Sequence, residues 1–461
     1  MANTIQLKRG NAADWTAADP TLAAGEFGFE ADTGKFKVGD GSTAWSGLGY
    51  FAPAAAAGPV FSPALAFTLD NPNAYGTSAS DEFGYSVAIS GNYAIVAARN
   101  EGDAAGTFSG KAYIYNATTG ALLHTLDNPN AYGTSQTDFF GISVAISDNY
   151  AIVGAYAEDD AGGTESGKAY IFNVTTDALL HTLDNPNPYS TSGGDTFGYS
   201  VSISDNYAIV GAYREDDASG LDSGKAYIFD VTTGALVHTL NNPNPYSTSA
   251  SDWFGESVAI SGNYAIVGAY KEDDAGGTQS GKAYIYNVTT GALLHTIDNP
   301  NPYSTSANDN FGISVAISDN YAIVGAYAED DAGGTNSGKA YIYNVTTGAL
   351  LHTLDNPNAY STSLNDLFGQ SVAISDNYAI VGAYAEDDAG GAFSGKAYIF
   401  DVTTGALVYT IDNPNAYSTS ADDEFSQSVS ISGNYAIVGV KKEDDAGGTS
   451  SGKAYIYSLY A

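Results

Sequence analysis

Residues 127–183 read DNPNAYGTSQTDFFGISVAISDNYAIVGAYAEDDAGGTESGKAYIFNVTTDALLHTL, and this unit returns seven times along the chain. A phenylalanine keeps the register at Phe83, Phe140, Phe197, Phe254, Phe311, Phe368 and Phe425, every interval being 57 residues. Glycine follows it in six copies, and Ser426 in the seventh. A fixed period of this length indicates a solenoid, a propeller or a tandem array. Within the quoted unit, apolar and small polar residues alternate over Ser143–Ser147, Tyr150–Tyr156, Lys168–Asn173 and Ala178–Leu183, with β-branched and aromatic enrichment. That pattern predicts four short strands. Asp148-Asn149 between the first two has two-residue hairpin chemistry, and Val-Thr-Thr-Asp (Val-Thr-Thr-Gly in most copies) makes a second tight turn.

Four antiparallel strands per unit, seven times over, predict an all-β chain whose main domain, 64–461, is a seven-bladed β-propeller. A solenoid would need capping repeats, and none is evident. The last unit ends after its third strand, while Ala64–Leu69 (ALAFTL) aligns with the fourth strand of the other copies. The expectation is that strand 64–69 completes the last blade and closes the ring, removing an edge that would invite association. Residues 1–50 do not repeat and form a separate module, and the Pro- and Ala-rich stretch 51–63 reads as an extended linker.

Composition narrows the function. The chain has 461 residues, 16 Lys plus Arg against 52 Asp plus Glu, and a formal charge of −36. Nucleic acid and anionic membrane surfaces are therefore poor partners. No Cys is present, which removes disulfides and thiolate chemistry. No apolar run approaches a membrane span and no Sec signal is visible. Most of the acidity belongs to the repeats: residues 63–461 carry 12 basic and 46 acidic residues, residues 1–62 only 4 and 6.

Phe-Gly before a strand, then AIVGAY, then Gly-Lys-Ala-Tyr-Ile-Tyr resembles the FG-GAP repeat of integrin α-subunit propellers, over residues 64–461. Members of that family often carry an Asp-x-Asp-x-Asp-Gly calcium loop between the first two strands. Only a short hairpin stands there in this chain, so that calcium site does not carry over. The N-terminal pieces are Ile5-Gln6-Leu7-Lys8-Arg9-Gly10, Trp15, Leu22-Ala23-Ala24-Gly25-Glu26, Asp32-Thr33-Gly34-Lys35 and Val38-Gly39-Asp40-Gly41-Ser42-Thr43-Ala44-Trp45. They resemble the small module of phage tail fibres and tropism-determinant proteins. The resemblance implies a virion-attachment unit, often trimeric, joined to tail or baseplate proteins through residues 1–50.

Propeller geometry puts the tight turns on one face and the long loops on the other, where binding usually resides. Comparing the copies singles out variable positions on the long-loop face. Before each Phe stand Glu82, Phe139, Thr196, Trp253, Asn310, Leu367 and Glu424; two residues after it, Tyr85, Ile142, Tyr199, Glu256, Ile313, Gln370 and Gln427. Twenty-five after it come Phe108, Glu165, Asp222, Gln279, Asn336, Phe393 and Ser450. A diversified binding face and turn-type constraint on the opposite face both account for the contrast. Phe139, Trp253, Tyr199, Phe108, Phe393 and Leu367 are the candidate receptor-binding residues. Sugar stacking, protein contact and packing between neighbouring loops are all open to them. Phe139 and Trp253 are expected on adjacent blades, in one patch that Tyr199 extends.

The acidic tripeptides ending at Asp160, Asp217, Asp274, Asp331, Asp388 and Asp445 are candidate Ca²⁺ ligands, against a reading as solvated or turn-capping loops. His124, His181, His238, His295 and His352 share one fourth-strand register, which argues against a catalytic base. The expectation is a non-enzymatic homotrimeric tail fibre, located on the virion and acting outside the host cell, whose ring binds a host-surface glycan or protein. Alternatives are a head fibre or capsid decoration protein and, behind these, a polysaccharide depolymerase.

Overall fold

The computed structural model describes residues 8–33, 35–50, 60–73, 79–102, 107–130, 137–159, 164–187, 193–204, 206–216, 221–244, 251–273, 277–301, 307–330, 335–358, 365–387, 391–415, 421–444 and 449–460. It divides into two compact units, Met1–Phe61 and Ser62–Tyr460. The first unit is small. Strands Lys8–Gly10, Phe27–Glu30 and Phe36–Val38 form one sheet, with a helix Ala12–Ala18 after the first strand and a 3₁₀ turn Trp45–Gly47. Its core is Trp15 stacked on Trp45, ring centroids 4.3 Å apart, over the buried Leu22. Buried Lys37 donates to the Trp45 carbonyl at 2.8 Å and lies over the Trp45 ring. This short helix is an addition to the all-β expectation. AADWTAA is only seven residues long and its Asn11 cap makes no side-chain bond, so the pattern carries little signal.

The second unit is β-propeller-like. Each of the first six repeats gives one four-stranded antiparallel sheet whose strands are paired in sequence order. In the second repeat the strands are Val144–Ile146, Tyr150–Ala155, Lys168–Asn173 and Leu179–Asp184. The first is shorter than Ser143–Ser147, and the last begins and ends one residue beyond Ala178–Leu183. The second and third strands are buried on both faces, because each sheet is covered by a neighbour on either side. Ile152, Ala169 and Ile171 of the second repeat pack against Phe197, Val201 and Val210 of the third, and the later repeats follow suit. The fourth strand alternates exposed and buried residues and lies outermost. A bulge at Leu180 turns both Leu179 and Leu180 partly to solvent and disrupts the free edge.

The seventh sheet pairs Ser428–Ser432, Tyr435–Val440 and Lys453–Tyr460 with Phe61–Asp70, which lies before the first repeat. This strand is longer than the expected 64–69. Phe61, Ser62 and Pro63, placed in the linker by the sequence, belong to it, and residues 51–59 of that linker lie outside the described residues. Pro63 is tolerated because the strand is outermost. Leu69, Ile437, Ala454 and Ile456 share one core with Phe83, Val87 and Tyr113 of the first repeat.

The repeated phenylalanine is buried in every copy and packs against aromatic residues of its own third strand, as Phe140 does tilted against Tyr170 and edge-on to Phe172. Its glycine is equally constrained. Gly198 has φ +91, and a Cβ there would run into the Lys168 carbonyl of the preceding sheet. Ser426 takes the same place at φ 75 and donates its hydroxyl to the Lys396 carbonyl at 2.6 Å, making a bond where a methyl group would clash.

Deleting residues 61–70 removes the outer strand of the seventh sheet and part of the core it shares with the first repeat. The expected outcome is a large fall in melting temperature together with aggregation through the bared Lys453–Tyr460 edge, read by calorimetry and light scattering. An unchanged transition and a monodisperse product would contradict this role.

Candidate functional site

The long loops are held by buried carboxylates. Before each Phe-Gly, the two asparagines of Asn-Pro-Asn converge on one aspartate. Asn128 and Asn130 donate to Asp138 Oδ2 at 3.0 and 2.8 Å, and Asn128 also reaches the Ser109 carbonyl. Burial raises these aspartates despite the amides, Asp195 to about 7. In the loop after the second strand, the first acidic residue turns inward. Glu158 is buried, accepts the Tyr170 hydroxyl at 2.6 Å, and lies 3.0 Å from Lys168 Nζ. The same Glu–Tyr–Lys brace recurs at Glu101, Glu215, Glu272, Glu329, Glu386 and Glu443. Burial outweighs hydroxyl and ammonium, raising Glu101, Glu272, Glu329 and Glu386 to about 7. The second acidic residue caps its own loop, Asp159 accepting the Glu165 N–H at 2.9 Å. The proposed metal ligands Asp160, Asp217, Asp274, Asp331, Asp388 and Asp445 lie outside the described residues. Among the described residues no group of three or more His, Cys, Asp or Glu is placed to hold a metal.

Two of the variable positions share an unusual backbone. Every residue before the Phe has φ between 54° and 60°, and every residue twenty-five after it has φ between 50° and 57°. The two meet across repeats. The Phe139 N–H donates to the Phe108 carbonyl, the Trp253 N–H to Asp222, and the Glu82 N–H of the first repeat to Ser450 of the last. Glycine or asparagine would occupy this left-handed region most easily. Trp253, Phe139, Leu367 and Thr196 hold it at a cost of about 1–2 kcal/mol each. The fold alone gives no reason for aromatic side chains there.

Around this seam the aromatics form one arc across four repeats. Phe108 stacks on Phe139 at 6.0 Å and Phe139 on Tyr156 at 5.6 Å. Tyr156 meets Tyr199 edge-on at 5.5 Å, Tyr199 meets Tyr213 at 4.7 Å, and Tyr213 meets Trp253 at 5.0 Å. Tyr270 closes the run 5.7 Å from Trp253. Phe139 and Trp253 are thus not on adjacent blades: they belong to the second and fourth repeats, two periods apart, and Tyr156, Tyr199 and Tyr213 join them. Phe108 is 41% and Phe393 46% exposed, whereas Phe139, Tyr199, Trp253 and Leu367 are half-buried. Phe393 and Leu367, in the sixth repeat, are not part of the arc.

Tyr156, Tyr213 and Tyr270 follow the AIVGA segment, where five copies carry tyrosine, and are not among the receptor-binding candidates chosen from sequence. Basic residues lie over the arc: Arg99 near Tyr85 and Phe139, Arg214 near Tyr213 and Trp253, and Lys271 with Nζ 2.9 Å from the Trp253 ring centre. Beneath them lies Glu256, whose Oε2 is sealed from solvent and has no hydrogen-bond partner in the structure. Burial raises its carboxyl to about 8, with Lys271, the Tyr270 hydroxyl and Arg214 opposing. The arc offers ring faces, edges and fixed positive charge, which suits recognition by stacking and ion pairing.

Comparison with known proteins assigns two families. The major tropism determinant N-terminal domain matches residues 5–43, and the FG-GAP repeat matches seven times, over residues 73–115, 130–172, 188–229, 245–286, 302–343, 359–400 and 416–457. A hyaluronoglucosaminidase of Streptococcus pyogenes phage H10403 is 47% identical over 49 residues, 11% of this chain and 14% of that protein. A hyaluronoglucosaminidase of phage H4489A is 48% identical over 46 residues, 10% and 12% respectively. The chain thus matches only about one-seventh of the length of these curated relatives. Among solved structures, the computationally designed Ika8 protein aligns with a TM-score of 0.43 at 15% identity, over 85% of this chain and all of that one.

Two outcomes follow from the loop chemistry. A carboxyl whose pKa is raised by folding binds its proton more tightly in the native state, so stability falls as pH climbs from the ordinary carboxylate range to the raised value. The melting temperature should therefore decrease between about pH 5 and pH 8. Self-repulsion at high net charge acts in the same direction but is screened by salt, so the decrease should persist in about 0.5 M NaCl. A flat profile in salt would contradict the buried-carboxyl account. Replacing Phe393 by Gly at φ 51 should raise stability by about 1 kcal/mol, measured by denaturant unfolding. A loss would mean that the phenyl ring is held for folding.

Proposed function

The chain belongs to the FG-GAP repeat family, and we propose that it is a phage tail-fibre protein whose seven repeats close into a propeller and bind a host-surface receptor on the long-loop face. The observation that carries this reading is the arc from Phe108 to Tyr270, built partly on left-handed positions where smaller residues would fit with less strain. Closure is supported by the bonds from Ser80 and Glu82 to Thr449 and Ser450, which repeat the seam found between successive repeats. It is supported further by Asn71, which donates to the Ser451 carbonyl.

The N-terminal domain supplies attachment. Its match to two streptococcal phage proteins stops within the first tenth or so of this chain, as expected of a shared anchor joined to unrelated distal parts. In this reading the anchor trimerises and docks on other virion proteins, while the ring meets the cell. No step of catalysis is required of it.

Binding at a protein surface concentrates in a few packed aromatic anchors. Replacing both Phe139 and Trp253 by Ala should cost roughly 2–4 kcal/mol in adsorption to host cells, with little change in melting temperature. Replacing Asn149 or Thr175, exposed in the tight turns, should leave adsorption intact. Normal adsorption by the double variant, with loss on turn substitution, would move the binding surface to the other face. Light scattering of the full chain should give a trimer mass, and a monomer would overturn the role assigned to the anchor.

A further inference from the structure

Residues 63–461 contain twelve basic side chains, and seven of them are the repeated lysines of the Glu–Tyr–Lys braces. The other five, Arg99, Arg214, Lys271, Lys441 and Lys442, all stand one or two residues after the second strand of their repeat. Three of these are neutralised locally. Arg99 pairs with Glu82 at 2.8 Å, and Lys441 and Lys442 both pair with Glu424. Among the described residues, Arg214 and Lys271 have no carboxylate within ion-pair distance. They lie over the same indole, Arg214 Cζ 5.8 Å and Lys271 Nζ 2.9 Å from the Trp253 ring centre.

The fold does not ask for these charges. The residue after the tyrosine is Ala157, Ala328 and Ala385 in three other repeats, on the same scaffold. The backbone contact is also shared, since the N–H groups of Lys271 and Ala328 bond the Asp252 and Asp309 carbonyls alike. Two cations without an ion pair among the described residues are available to another partner. Tyr213 and Tyr270 flank them with ring edges and hydroxyls.

We infer that Arg214, Lys271 and Trp253, with Tyr213 and Tyr270 beside them, form a subsite for an anionic sugar, the charged substituent meeting the two cations and the sugar ring lying against the aromatics. This rests on the receptor-binding reading above and specifies its ligand class. Glu256 fits the assignment. Its carboxyl interacts electrostatically with Lys271, Arg214, Tyr199, Tyr213, Tyr270 and Tyr327, and burial raises it to about 8, which favours the neutral acid over an ion pair. Burial lowers the Lys271 ammonium from its ordinary value, with Glu256 and Asp222 opposing, and an anion bound beside it would favour its charged form. Arg214 supplies a planar fork for a carboxylate or phosphate, and Lys271 a point charge.

The test uses the full chain and three monosaccharide probes of similar size, titrated by ligand-observed NMR at low salt. These are methyl glucuronide, glucose 6-phosphate and the neutral methyl glucoside. The expected result is that one or both anionic probes bind about tenfold more tightly than the glucoside, the value of one charged hydrogen bond. The two anionic probes separate a carboxylate-bearing from a phosphate-bearing receptor. In the Arg214→Gln, Lys271→Gln variant the anionic preference should vanish while weak binding of the glucoside persists. Equal binding of all three probes by the native chain would overturn the inference, and so would a preference retained by the double variant. If the probes discriminate as stated but virions lacking the arc still adsorb, the sugar subsite stands and the receptor reading fails. If adsorption needs the arc but the probes do not discriminate, the receptor reading stands and its ligand is not an anionic sugar.

Discussion

The seam between repeats is the constraint on which the rest of the structure depends. At each junction a strand-entry turn donates its N–H groups to carbonyls of the preceding repeat, as Phe139 and Phe140 do to Phe108 and Ser109. The glycine after the phenylalanine lies against the neighbouring third strand with no room for a side chain. Only this close approach lets the phenylalanine reach the core between sheets, and only the stacked sheets allow second and third strands to be apolar on both faces. A single repeat, with both faces of Tyr150–Ala155 open to water, could not persist alone.

The same seam explains why the variable residues can vary. Their backbone is fixed by bonds that do not involve side chains, so Glu82, Thr196, Trp253 and Leu367 occupy one conformation with four chemistries. The scaffold is thereby separated from the surface it presents. Repeats two to four use that freedom for aromatics and cations, while the first and last use it for ion pairs, Glu82 with Arg99 and Glu424 with Lys441. The arc is thus a local specialisation of a nearly uniform series of repeats.

The fold was largely legible because its signals are local and repeated. Alternation set the strands, the fixed phenylalanine interval set the unit, and ALAFTL identified the outer strand of the seventh sheet. What escaped was spatial. That Tyr156 bridges Phe139 to Tyr199 depends on which residues face one another across a seam, whereas the two-period spacing of Phe139 and Trp253 is already in the register and contradicts their placement on adjacent blades. The brace within the acidic tripeptides was hidden for a related reason. Glu158 looks solvent-facing beside two aspartates, and its burial is visible only in the recurring tyrosine twelve residues on, with a lysine at ten. The helix Ala12–Ala18 is too short to leave a period.

The pairing of Phe61–Asp70 with a strand some four hundred residues later also has a consequence for how the molecule is made. The sheet it completes contains Lys453–Tyr460, and Asn71 bonds Ser451, a sequence separation of 380. Contacts so remote lengthen the search for the native state, because a very large loop must close before any of them forms. During synthesis, Phe61–Asp70 leaves the ribosome first and waits, unpaired, while six repeats stack beside it. A strand rich in Phe, Leu and Ala that waits in this way is exposed to pairing with a neighbouring chain. The proline at position 63 and the high negative charge of the repeats both oppose such exchange, and keep the strand for the seventh sheet of its own chain.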